Sequence, residues 1–263
     1  MAAAADADLD CRLGVLAFGD SITNAGGELQ WGVALQSWAL WVARGLGMPY
    51  TGYAVDGARI ADVVDGQIPA FERLTASPGA RYDVGCLYIG VNDVRGADWD
   101  ADAFAAGFER ALGYLSARCA RTLAVIAPLR LGFPPAHGKV GELNDVVRAA
   151  ASRQGALVVD LEPFGARNQV MVDRVHPTAF GQIAIAERAL AVLERDGLPT
   201  RAHPSALINV QRTRWGALRG DWTYVYRNLK QRVRVDAGAR ANYWLGKGSR
   251  AGRGRLRRRA KRL

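Results

Sequence analysis

Four short stretches carry side chains from which a nucleophilic catalyst could be built. Gly19-Asp20-Ser21 follows an apolar run that starts at Leu13, and Gly57 stands in Ala54-Val55-Asp56-Gly57-Ala58. Gly90-Val91-Asn92-Asp93 follows another apolar run, and Asp173-Arg174-Val175-His176-Pro177 comes just ahead of the last helical pattern. A serine hydroxyl is a weak nucleophile until a base takes its proton, and that base needs a third group to orient it and stabilise its imidazolium form. Asp173 and His176 offer Ser21 that orienter and base. Acyl transfer also needs donors aimed at the oxyanion; a glycine lets a backbone N–H approach closely, and an asparagine amide adds a donor. Gly57 and Asn92 suit these places, with the Ser21 N–H as a third donor. Singly, each stretch also has an ordinary reading. Gly-Asp-Ser ends many strands, Gly57 suits a turn, and Asn92-Asp93 suits an Asx turn or a helix start, with Asp93 bracing the loop.

To act together, these residues must be carried to one edge of one sheet. Five short, apolar, β-branched runs read as strands: from Leu13, Tyr50, Val84, Thr122 and Ala156. Helical periods separate them. Residues 31–47 are apolar on most faces and read as a buried first helix. From Asp100, Phe104, Phe108, Leu112 and Leu115 form one stripe, and Val140, Leu143 and Val147 form another. The last helix begins after Thr178, a good N-cap, and ends before Gly197. Continuous apolar strands alternating with helices imply a parallel sheet covered on both faces, with functional groups at the C-terminal ends of its strands. The loop after the first strand is neither GxGxxG nor GxxxxGKS, so no phosphate-binding loop is indicated. Sheet periodicity fades after Pro199, which puts a boundary between Leu198 and Pro204.

Gly19-Asp20-Ser21-Ile22-Thr23, Gly57, Gly90-Val91-Asn92-Asp93 and Asp173-Arg174-Val175-His176-Pro177, in this order and at these strand ends, resemble the blocks of the SGNH (GDSL-type) serine hydrolase superfamily over residues 12–195. The resemblance implies a three-layer α/β/α, flavodoxin-like fold with a five-stranded parallel sheet, occupying residues 1–200. It implies ester hydrolysis through an acyl-enzyme, of carboxylesterase, lipase-like or O-deacetylase type, on a small-molecule or lipid ester, with no cofactor and no metal. By position it implies Ser21 as nucleophile, His176 as base, Asp173 as its partner, and Ser21, Gly57 and Asn92 as the oxyanion hole. Ile22 replaces the leucine of the GDSL name, a change that should not affect the chemistry.

The net charge of +10 hides two halves. Residues 201–263 hold 15 Arg and 3 Lys against two Asp, while the first 200 residues are acidic. We read residues 201–245, where arginines alternate with Trp and Tyr, as a partly helical extension docked on the hydrolase domain. Residues 246–263 read as a disordered Arg-rich tail that contacts anionic lipid or nucleic acid nonspecifically. This leaves an alternative function, a binding protein that keeps the hydrolase scaffold but works through its tail. Cys11, Cys86 and Cys119 are odd in number and far apart, so they suggest small hydrophobes rather than disulfides or a zinc site. There is no signal peptide pattern and no transmembrane segment, and the expectation is a cytoplasmic protein. His137 reads as a solvated loop residue, and His203 has no acid at matching spacing. Trp31, Arg59 and Phe133 are more easily packing or surface residues than cleft walls. Asp20 suits a structural job in the nucleophile loop.

Overall fold

The computed structural model describes residues 12–30, 32–74, 79–132, 136, 138–166 and 168–208. All fall in the first of two units into which the chain divides, residues 1–211. Most of the expected extension and the tail, with Cys11, Trp31, Phe133 and His137, lie outside the described residues.

The apolar runs form five strands: β1 (Val15–Gly19), β2 (Tyr50–Gly52), β3 (Tyr82–Tyr88), β4 (Cys119–Ile126) and β5 (Leu157–Asp160). Every neighbouring pair is parallel, in the flavodoxin-like order β2-β1-β3-β4-β5. All five residues of β1 are buried, because helices cover both faces and leave neither for polar side chains. β2 is shorter than its apolar run and pairs only through Tyr50, Thr51 and Gly52, as befits an edge strand.

The first helix, α1 (Trp38–Leu46), is shorter than the pattern from Trp31 suggests. Ser37 explains the start: its hydroxyl accepts from the Ala39 N–H at 3.2 Å and caps the helix there. Trp38, Ala39, Trp41, Val42 and Ala43 are buried, as the apolar pattern requires. Residues 60–74, where Ile60, Val63, Val64, Ile68 and Phe71 recur at helical spacing and are buried, are helical in three pieces: α2 (Ile60–Asp62), a π turn over Val63–Gln67, and α3 (Ile68–Leu74). The π turn inserts a residue into the 3.6 repeat, and Pro69, which lacks an N–H, follows at once. Next come the short α4 (Val91–Arg95), then α5 (Ala101–Ser116), α6 (Lys139–Gln154) and α7 (Ala179–Arg195). Asp100 caps α5 by accepting from the Asp102 and Ala103 N–H groups, and Thr178 caps α7 by accepting from Gly181. The stripes of α5 and α6 face the core: Phe104, Phe108, Leu112, Leu115, Val140, Leu143 and Val147 are all buried.

Helix α1 packs on α7 over one face of the sheet, and α5 packs on α6 and on the Ile60–Gln67 segment over the other, giving three layers. The order reverses between β1 and β3, which lie side by side with Gly19 opposite Tyr88. A crevice opens beyond the strand ends at such a reversal. Past α7 the chain returns to α1, where the Arg201 and Ala202 N–H groups bond to the Gly45 carbonyl. His203 finds an acid that local spacing could not reveal: Glu187 of α7, 2.9 Å away and outside the crevice. Cys86 is buried on β3 and, like Cys119, is unbridged. No helix among the described residues is long and apolar enough to cross a membrane.

Candidate active site

The turn after β1 is held by two buried amides. Gln67, from the π turn, donates to the Gly19 carbonyl at 2.7 Å and accepts from the Gly19 N–H at 3.0 Å, clasping the last residue before Asp20. Gln182, on the first turn of α7, donates to the Ile22 and Gly26 carbonyls on the far side of Ser21 and accepts from the Trp38 N–H. The serine loop is thereby tied both to α1 and to the helix that starts three residues after His176. Gln182→Ala removes three bonds, two of them buried, and strands their partners, so it should cost about 2–4 kcal/mol of stability. A urea denaturation midpoint near that of the unaltered protein would show that the tie carries no such weight.

Ser21 Oγ lies 2.9 Å from His176 Nε2, and His176 Nδ1 lies 2.7 Å from Asp173 Oδ2. Asp173 Oδ1 accepts from the backbone N–H groups of Val175 and His176, at 2.9 and 3.0 Å, so the carboxylate shapes its own loop as well as holding the ring. The three side chains, 155 residues apart at the extremes, form one hydrogen-bonded line at the sheet edge.

Gly57 occupies the turn after β2 with φ of +76°, a conformation that other residues adopt at a cost. Neither its N–H nor that of Ser21 has a protein acceptor among the described residues. The turn is fixed to its neighbours at several points: the Val55 N–H bonds to the Gly19 carbonyl, and the Ile60 N–H bonds to Asp93 Oδ1 at 3.2 Å. Asn92 Nδ2 donates to the Ala58 carbonyl at 3.0 Å, which uses one of its two amide protons. Gly90, with φ of +111°, turns the chain from β3 into α4, and a Cβ there would lie 2.6 Å from Leu143. Arg59 pairs with Asp98 at 2.7 Å, a further tie between the Gly57 turn and the segment after α4. Asp93 thus braces the loop, as its sequence position suggests. Beside Gly57 a groove of about 560 Å³ opens, where Tyr53 and Val55 stand among Asp56, Asp62 and Asp65. Among the described residues no group of three His, Cys, Asp or Glu side chains converges as a metal site.

The hydrogen bond to Asp173 raises the His176 pKa above its ordinary value; burial opposes the rise, while the charges of Asp173 and Asp20 favour it and Arg95 opposes it. Burial pushes the Asp173 carboxyl up, but its bonds to His176 and Val175 outweigh that and leave it below the usual range. Asp20 behaves differently. It is completely buried, one oxygen accepts from the Ile22 N–H at 2.9 Å, and the other has no partner. Burial lifts its pKa to about 7, with the Ile22 bond and His176 resisting and Asp93 adding to the rise. The folded state therefore holds this proton more tightly than the unfolded chain does. Its contribution to stability is complete below the unfolded value of 3.8 and is lost as pH climbs to about 7. Asp20→Asn should accordingly gain stability over the native residue as pH rises through that window, by a few kcal/mol at pH 8 in denaturant unfolding. An equal difference at pH 4 and pH 8 would count against it.

The structure joins Ser21, His176 and Asp173 directly, and it ties the turns of Gly57 and Asn92 to each other and, through Val55, to Gly19 beside the nucleophile. The buried clasps Gln67 and Gln182 are not among the residues that the sequence motifs single out. A single amide on an otherwise apolar helical face was the only signal for either.

The GDSL-like lipase/acylhydrolase family model matches residues 17–183. No curated protein sequence matches the chain. Among solved structures, it is similar to LAE5, an alpha/beta hydrolase enzyme from the metagenome of Lake Arreo, Spain, at 18% identity and a TM-score of 0.56, over 69% of this chain and 94% of that one. It is also similar to Axe2, an acetylxylan esterase from Geobacillus stearothermophilus, at 20% identity and a TM-score of 0.53, over 68% and 93%. Catalytic mutants of Axe2 that match as well replace a serine, an aspartate and a histidine, the last two three positions apart. With the family matched over most of its length, the chain belongs to the GDSL-like lipase/acylhydrolase family and is an SGNH/GDSL-type ester hydrolase.

Proposed function

We propose that the chain hydrolyses short or polar esters through an acyl-enzyme on Ser21. The observation that carries this reading is the unbroken hydrogen-bonded line from Ser21 Oγ through His176 to Asp173. His176 Nε2 takes the hydroxyl proton as Oγ attacks the ester carbonyl, and the carbonyl oxygen becomes an oxyanion facing the N–H groups of Ser21 and Gly57 and the free amide proton of Asn92. The tetrahedral carbon collapses and expels the alcohol, which leaves with the proton from His176. Water then repeats the sequence, freeing the acid and restoring Ser21. The replaced serine, aspartate and histidine of the Axe2 mutants, with the same spacing between the acid and the imidazole, support these assignments. The likeness to Axe2, an acetylxylan esterase, supports the preference for short or polar groups.

A p-nitrophenyl ester series from acetate to palmitate, run with the unaltered protein and with Ser21→Ala, tests both parts. Hydrolysis that requires Ser21 and declines with chain length is expected. Hydrolysis independent of Ser21 overturns the mechanism, and a maximum at palmitate overturns the substrate preference. The basic segment after residue 208 supports a separate proposal, contact with anionic lipid or nucleic acid, through its charge alone.

A further inference from the structure

An oxyanion hole works only if its donors, which come from separate loops, converge closely on one oxygen. The Ser21 N–H belongs to a loop held at several points. The Asn24 N–H bonds to the Asp20 carbonyl at 2.9 Å, Ala25 takes a left-handed φ of +63°, and Gln182 grips the Ile22 and Gly26 carbonyls. The Gly57 N–H belongs to the turn of residues 55–58, closed by the Ala58 N–H on the Val55 carbonyl at 3.2 Å. The ends of this turn are tied, since Val55 donates to Gly19 and Ala58 accepts from Asn92. Its middle is not packed. Asp56 and Gly57 are exposed, a Cβ at Gly57 would meet nothing within 4 Å, and among the described residues the peptide between them makes no hydrogen bond.

One side-chain bond reaches that middle. Asn24 Nδ2 donates to Asp56 Oδ1 at 2.9 Å, joining the residue before Gly57 to a residue three positions after the nucleophile. It ties together the two loops whose N–H groups must meet. We infer that Asn24 and Asp56 are positioning residues that hold the Gly57 N–H in register with Ser21, so that both donors reach one oxyanion. They act through Gly57, not on the reacting atoms. The inference rests on the acyl-enzyme reading above and adds the pair that assembles its oxyanion hole. The chemistry of the pair also says how it fails. Asn24 must donate and Asp56 accept, so Asn24→Asp puts two carboxylates face to face and drives the turn away from the serine loop. Asp56→Asn keeps an accepting oxygen for Asn24. Made together, the two changes restore the bond with donor and acceptor exchanged.

The test is steady-state hydrolysis of p-nitrophenyl acetate by Asn24→Asp, Asp56→Asn and the double variant, with Ser21→Ala as control. In Asn24→Asp kcat should fall roughly tenfold with KM little changed, short of the roughly hundredfold or greater loss expected when an oxyanion-hole donor is removed outright. Asp56→Asn alone should lose no more than about threefold, the scale of one exposed hydrogen bond. Adding it to Asn24→Asp should recover most of the loss. Affinity for phenylboronic acid, whose tetrahedral adduct on Ser21 places an oxygen in the same hole, should follow kcat through the series. Ser21-dependent cleavage in which Asn24→Asp keeps the native kcat, or in which Asp56→Asn fails to rescue it, overturns this inference alone. A loss confined to KM, with boronic acid affinity unmoved, does the same. Cleavage that does not require Ser21 overturns the acyl-enzyme reading and this inference with it.

Discussion

Replacing Ser21 or His176 with alanine is expected to lower kcat/KM on a cleaved ester by roughly ten-thousand-fold or more, with little change in melting temperature. Among the described residues, Ser21 Oγ bonds only to His176, and both side chains sit at a part-buried surface rather than in the core. Truncating either leaves no cavity in the packed layers and no deeply buried group without a partner. Rate and stability should therefore separate. Because hydroxyl and imidazole act as one device, the double variant should be no slower than the worse single one. What survives would come from the N–H groups of Ser21 and Gly57 and from Asn92, which keep their geometry when the hydroxyl is gone. Single-variant losses that multiply in the double variant would mean that the two residues work independently, contrary to the 2.9 Å bond between them.

Much of this arrangement is legible in the sequence, for identifiable reasons. Strands buried on both faces must be apolar throughout, so the five runs announce a parallel sheet, and a parallel sheet collects its loops at one edge. That argument places Ser21, Gly57 and Asn92 near each other before any coordinate is known. The stripes of α5 and α6 and the caps Asp100 and Thr178 are local features, and local features can be read locally. The π turn is not readable this way, since Ile60, Val63, Val64, Ile68 and Phe71 mark a helical face without showing where one of its turns widens. The same turn delivers Gln67 to Gly19, so the unreadable element is one that positions the site. Asp20 and Arg95 illustrate a second limit. The raised pKa of Asp20 follows from complete burial, and the influence of Arg95 on His176 spans 81 positions of sequence. Neither burial nor neighbourhood is a property of a short motif.

Asp173 offers the second large effect, and its hydrogen bonds predict an unusual ordering of variants. Its Oδ1 accepts two backbone N–H groups, from Val175 and His176, and its Oδ2 faces His176 Nδ1. In Asp173→Asn the single remaining oxygen belongs where two donors converge, which turns the NH2 group toward Nδ1. Nδ1 must then accept, so the ring proton moves to Nε2, where it points at Ser21 and blocks proton transfer from the hydroxyl. A loss of roughly a thousand- to ten-thousand-fold in kcat follows, short of the His176→Ala loss. Asp173→Ala removes the orienter but imposes no tautomer, and the part-exposed loop lets water reach the two N–H groups. It should therefore be faster than Asp173→Asn, despite being the less conservative change. Removing the group that raises the His176 pKa should also move the acid limb of its kcat/KM profile to lower pH, because the imidazole must be neutral to act and would then lose its proton more readily. If Asp173→Asn proved the faster of the two at every pH, Asp173 would be acting mainly as a loop brace, and the role of base partner would have to pass to another acid.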